Sequence, residues 1–125
     1  MNNQKLSIRP EISSINSNAR LSIEERFQNE TIRPIIKLQH NLLVAFFNNY
    51  LVKIKVDIKP LNSINRAILI DKTFNNANIF KTELKGLIIG HFTTEEYSKY
   101  LGFEREINKR IFSIIQQRIK SIYLN

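Results

Sequence analysis

Apolar residues along this chain recur mostly at helical rather than strand spacing, and the spacing divides the sequence into helices. Between Glu104 and Tyr123, Ile107, Ile111, Ile114, Ile115, Ile119 and Ile122 fall three or four apart, with Arg105, Lys109, Gln116, Gln117 and Lys120 on the other side. That pattern predicts an amphipathic helix with a basic outer face. From Ile35 to Leu51, eleven of seventeen residues are apolar, a stripe wider than one face of a surface helix needs. This segment is expected to be the central helix, covered by the rest of the chain or shared with a second copy.

Start and stop signals refine the boundaries. Ser22-Ile-Glu-Glu and Thr93-Thr-Glu-Glu are capping boxes, in which the hydroxyl accepts from an amide three residues on and the glutamate returns the bond. Helices are expected to open at both. Arg26, Glu30 and Arg33 place opposite charges on one face of the first. Pro34 lacks an amide and crowds the carbonyl of Glu30, so a kink or restart is expected there. Val52 to Lys59 alternates like a half-buried strand, but it has no partner run, since Ala67-Ile-Leu-Ile lies in a pattern (Ile64, Ala67, Ile68) suited to a helix opened by Asn62 and Ser63. The alternation is therefore assigned to a fraying helix end and a connection closed by Pro60. Asn75 and Asn76 mark a break before a helix from about Asn78 to His91, and Gly102 is expected to end the Thr93 helix in a left-handed conformation.

Within the helix before Thr93, Gly86 and Gly90 share one face. Glycine costs about 1 kcal/mol relative to alanine in an exposed helix, so the pair predicts a close contact on that face. Residues 1–20, with eight Ser or Asn and no apolar period, are read as a disordered tail preceding one helical domain over residues 21–125.

Composition narrows the chemistry. The 125 residues suffice for one core, and the absence of cysteine removes disulfides and thiolate chemistry. No apolar run approaches the roughly 18 residues of a membrane span, the longest being Leu42 to Phe47. A cytoplasmic protein with no membrane partner is expected. The formal net charge of +8 suits an acidic protein or nucleic-acid partner. His40 and His91 are the only histidines, and the residues three before them, Lys37 and Ile88, rule out the Glu-x-x-His pattern of di-iron bundles. Glu24-Glu25 and Glu95-Glu96 are explained by capping. No cofactor or metal is expected.

Two resemblances add to this. Thr94 to Arg110, with Thr-Glu-Glu, then Leu101-Gly102-Phe103, then a basic segment, resembles the helix-turn-helix of excisionase-like DNA-binding proteins. It departs from them at Tyr97, Glu104 and Asn108, where that pattern places a small residue, a Ser or Thr cap and an apolar residue. Arg26 to His40 and Leu84 to Tyr97 look like blocks of a family of short bacterial proteins of uncharacterised function, some automatically labelled glyoxalase. That resemblance implies the label without a mechanism, since glyoxalases need His and Glu metal ligands in patterns that these two histidines do not form.

The sequence thus points to an all-α single domain of four or five helices around the Ile35 to Leu51 helix, forming a homodimer. Its expected role is that of a non-catalytic, basic binding or interaction protein, with Arg33, Lys85, Gly86, Gly90 and His91 as candidate binding residues. DNA binding through residues 93–118 and the glyoxalase label are the alternatives.

Overall fold

The computed structural model describes residues 3–10 and 22–124, all in helices and the turns that join them. The helices are α1 (Asn3–Ser7), α2 (Ile23–Phe27), α3 (Arg33–Leu38), α4 (His40–Lys53), α5 (Ser63–Asn76), α6 (Asn78–Ile89), α7 (Thr94–Leu101) and α8 (Glu104–Tyr123), with a π-helical stretch at Gln28–Ile32 between α2 and α3. No strand occurs among the described residues, and none of their helices is long and apolar enough to cross a membrane.

Both capping boxes form. Ser22 Oγ accepts from the Glu25 amide at 3.1 Å, and Thr93 Oγ1 accepts from the Glu96 amide at 3.1 Å while Glu96 Oε1 accepts from the Thr93 amide at 2.8 Å. Asn62 opens α5 by accepting from the Asn65 amide at 2.8 Å. Each cap satisfies amides that the first helical turn leaves without partners.

A π-helical stretch precedes Pro34, and α3 opens at Arg33 with the proline in its first turn, the Arg33 amide bonding the Gln28 carbonyl five residues back. A proline cannot donate to the carbonyl four residues earlier, and a π-turn accommodates the ring without ending the helix. The wider turn also changes which side chains meet. In place of the charge pairs expected along Arg26, Glu30 and Arg33, Arg33 Nε donates to Asn29 Oδ1 at 3.3 Å. The helical path continues through α3 and α4, interrupted only at Gln39 (φ −91°, ψ 8°).

The core draws on almost every element. Ile107, Ile111 and Ile115 of α8 are 0% exposed and Ile119 is 1% exposed, so this stripe is sealed along its length. Helices α5, α6, α7 and the π-turn all pack on α8, while α4 contributes Leu43, Phe47 and Leu51 and packs against α6. Phe80 is ringed by Phe46 (stacked, 5.5 Å), Phe47, Tyr50 and Phe74, joining α4, α5 and α6. A second aromatic set, Phe27, Phe92, Phe103 and Tyr100, closes the other side around α7. In α5 the buried residues are Ile70, Thr73 and Phe74, whereas Ile64 and Ile68 of the expected stripe face solvent.

The connection from Lys53 to Asn62 contains no strand, as its lack of a partner run predicted. Ile58 turns inward, while Lys55 takes φ 60°, alone among the described residues in adopting a positive value. Arg66 holds this connection by donating to the Ile58, Lys59 and Tyr123 carbonyls at 3.2, 2.9 and 3.0 Å, which also places a cation at the end of α8. Gly102 ends α7 at φ −73°, in right-handed rather than left-handed conformation.

Residues 3–10 depart from the expected disordered tail, because α1 and the turn after it carry long-range hydrogen bonds to residues 90–96. Residues 1, 2, 11–21 and 125 lie outside the described residues.

Replacing Ile111, at the middle of the sealed stripe, with Ala is expected to cost about 2–5 kcal/mol, the usual range for a fully buried isoleucine. Urea unfolding checks this. A loss below that range would show that the stripe is less tightly covered than described.

Candidate binding sites

The five candidate residues do not converge on one site. Gly90 and His91 lie at the end of α6, where the N-terminal segment crosses. Arg33 lines a separate cleft against α8. Lys85 is half-buried on α6, and Gly86 is exposed.

At the end of α6, cations meet carbonyls. Lys5 Nζ donates to the Phe92 carbonyl at 2.8 Å and to the Gly90 carbonyl at 3.3 Å, and an Arg9 nitrogen donates to the His91 carbonyl. Positive side chains here complement the unpaired carbonyls and the negative end of the helix dipole. Arg9 also grips Glu96 with both terminal nitrogens, at 2.6 and 2.8 Å, and the two side chains are only 6% and 14% exposed. Thr31 Oγ1 donates to the same carboxylate at 3.1 Å. Burial pushes the Glu96 carboxyl up, but the bonds from Arg9, the Thr93 amide and Thr31 outweigh it and hold the group below the usual carboxylate range.

His91 belongs to this network through both backbone and ring. Gln39 Nε2 lies 2.8 Å from His91 Nε2; the amide donates, so that ring nitrogen accepts and the imidazole is neutral. Burial lowers its pKa, and the charges of Arg9 and Lys5 lower it further. The network binds the chain to itself, so Gly90 and His91 are held by their own N-terminal segment.

The close contact expected on the face of Gly86 and Gly90 is not made by the chain itself. A Cβ built on Gly86 meets nothing within 4 Å, and one on Gly90 meets only the Gly86 carbonyl, at 3.3 Å. Ile79, Glu83, Gly86 and Gly90, spaced four, three and four apart, form the exposed row of α6. Beside this row, α4 and α6 enclose a cavity of about 250 Å³ lined by Phe46, Tyr50, Ile79 and Phe80, with Lys53 and Glu83 also on its walls. Ile79 is 80% exposed and Val52 of α4 is 71% exposed.

The basic cleft is larger, about 430 Å³, and lies where Gln28 and Arg33 face Glu106, Lys109 and Arg110 of α8. Arg110 Nη1 donates to Gln28 Oε1 at 2.7 Å, while its Nε is buried without a partner. Elsewhere on α8 the basic face is partly engaged. Lys120 pairs with Asp71 at 2.6 Å, and Gln116 donates to the same carboxylate at 2.6 Å. Those bonds, that of Lys120 foremost, draw the Asp71 pKa down against the opposing effect of burial. His40 Nδ1 lies 3.2 Å from Arg118 Nη1, which donates to it.

Among the described residues, no group of three or more His, Asp or Glu side chains is placed to hold a metal. The sequence reading missed Lys5, Arg9, Gln28 and Arg110. Pairing Arg9 with Glu96 spans 87 positions, and nothing local announces it. The cleft residues sit on two segments joined only in the fold, although the basic outer face of α8 was visible in the sequence. Comparison with protein-family models, curated proteins and solved structures finds no match.

Acidification is expected to destabilise the fold in two windows. Below 6.5 the unfolded chain protonates His91 while the folded chain resists, and below 4.5 the stabilising contribution of Glu96 is lost as pH falls through its lowered folded value. Denaturant unfolding from neutral to acid pH should show stability falling through both, with the first step absent in His91→Gln. Stability rising on acidification would contradict this. Separately, Gly86→Ala should raise stability by about 0.5–1 kcal/mol, because the helix gains and nothing obstructs the new methyl. A loss on thermal unfolding of dilute protein would indicate an unseen close neighbour.

Proposed function

We propose that this chain is a non-catalytic, basic, helical binding protein that works as a homodimer, pairing through the face formed by α4 and α6. The observation that carries the reading is the self-complementary character of that face. It presents a projecting apolar residue, Ile79, beside an aromatic-walled cavity, with a cation, Lys53, and an anion, Glu83, on the same walls. A two-fold axis turns such a surface into its own partner, since each copy offers both knob and hole and both signs of charge. Exposed Leu42, one turn before Phe46, extends the apolar area along α4. Gly86 and Gly90 fit the same role, because small residues let a facing backbone approach and nothing in the chain itself covers Gly86. The close contact expected of the glycine pair is then made between copies.

An acidic partner suits the remaining surface, where Arg33, Lys109 and Arg110 meet at the cleft. DNA binding through residues 93–118 has in its favour the two-residue turn, Gly102 and Phe103, that joins α7 to α8. Against it, Glu104 and Glu106 are exposed at the start of α8, where a helix-turn-helix would meet phosphates.

Sedimentation equilibrium tests the dimer. The wild type is expected at twice 14.7 kDa, and Ile79→Glu and Gly86→Leu at 14.7 kDa with an unchanged helical spectrum. A monomeric wild type, or dimeric mass retained in both variants, would refute pairing through this face.

A further inference from the structure

We infer that the cleft between the π-turn, α3 and α8 binds the phosphoryl group of a hydroxylated small molecule, a sugar or polyol phosphate. The inference rests on reading the chain as a binding protein but not on its pairing through α4 and α6.

Three observations meet in the cleft. First, Arg33, Lys109 and Arg110 face a cavity of about 430 Å³ whose walls hold a single carboxylate, that of Glu106, so cations outnumber anions three to one. Guanidinium groups match phosphate oxygens with paired donors, and two arginines beside a lysine suit a dianion better than a lone carboxylate. Glu106 neutralises little of this charge, because it lies 3.9 Å from Lys109 with both side chains more than half exposed. Second, Arg110 Nε is buried with no hydrogen-bond partner. Buried donors in folded proteins are nearly always satisfied, so Arg110, whose Nε has no acceptor within the chain, brings to the cleft a guanidinium charge that the chain itself only partly compensates. Third, one wall begins on the π-turn, an irregularity that recurs at functional sites. Pro34 explains how the turn is tolerated. The turn also sets Gln28 against Arg110, fixing one end of that guanidinium.

The rest of the lining selects the ligand class. It contains no aromatic ring on which a base could stack, while Gln28, Ser113 and Gln117 supply neutral groups able to bond hydroxyls. A volume of this size accommodates a small phosphorylated molecule. A nucleic-acid backbone shares the phosphate chemistry, but it would extend beyond the cleft past the exposed carboxylate of Glu104.

Calorimetric titration of the full chain at low ionic strength tests this, with glucose 6-phosphate, glucose, inorganic phosphate and a short DNA duplex as probes. Glucose 6-phosphate and inorganic phosphate are expected to bind and glucose is not. Arg33→Gln should weaken glucose 6-phosphate binding by about tenfold or more, the usual loss for a charge-assisted hydrogen bond. Glu106→Gln should strengthen it. Both residues are on the surface of the cleft, so circular dichroism should show the fold intact, and the sedimenting mass of Arg33→Gln should match wild type. No heat with either phosphate compound, or equal affinity in Arg33→Gln, would overturn the site. Duplex binding with a steep salt dependence, in the absence of glucose 6-phosphate binding, would overturn it in favour of a nucleic-acid backbone. Binding of glucose 6-phosphate by a monomeric chain would uphold the site while removing the dimer.

Discussion

Four isoleucines of α8, spaced four apart and at most 1% exposed, set the problem that the rest of the chain solves. A stripe that straight must be covered over the full length of a 20-residue helix. No single neighbour does so, and α5, α6, α7 and the π-turn each pack against α8. The helical path from Ile23 to Leu38, which Pro34 would ordinarily break, is carried past it by local widening. Its buried residues Phe27, Ile32, Ile35 and Ile36 thus stay in the same core as the α8 stripe. The same widening sets the wall of the basic cleft, so a packing requirement and a candidate binding site share one cause.

Charge in this protein divides between holding the fold and facing outward. Lys5, Arg9, Arg66 and Lys120 are spent internally on carbonyls or carboxylates, tying residues 3–10 to the end of α6, the 54–62 connection to α8, and α5 to α8. Arg33, Lys109 and Arg110 meet a cavity instead. The formal charge of +8 therefore overstates what a partner would encounter. Two surfaces stand apart from this internal pairing, one apolar on α4 and α6 and one basic on α3 and α8.

Features that depend on neighbours within four residues were legible in the sequence. Both capping boxes, the Asn62 cap and the buried Ile107, Ile111, Ile115 and Ile119 of α8 follow from local hydrogen-bonding and periodicity, and the structure has them as read; Ile122, read into the same stripe, is exposed, and the break read at Asn75 and Asn76 falls one residue later, at Ala77. The spacing of Gly86 and Gly90 gives their common face but not what lies opposite it. Gly102 needs no left-handed turn, while Lys55 takes one that no residue type announced. The sequence contained Arg9, Glu96, Arg33 and Arg110 but not their meeting. Those contacts form only when distant segments fold together.

The most direct measurement of the central claim, that α4 and α6 carry the surface through which this protein recognises its own copy, is the concentration dependence of amide chemical shifts. The account predicts shifts on dilution confined to residues 42–53 and 79–90, with the cleft residues of α3 and α8 unmoved. Spectra that do not change with concentration, or changes centred on α8, would contradict it.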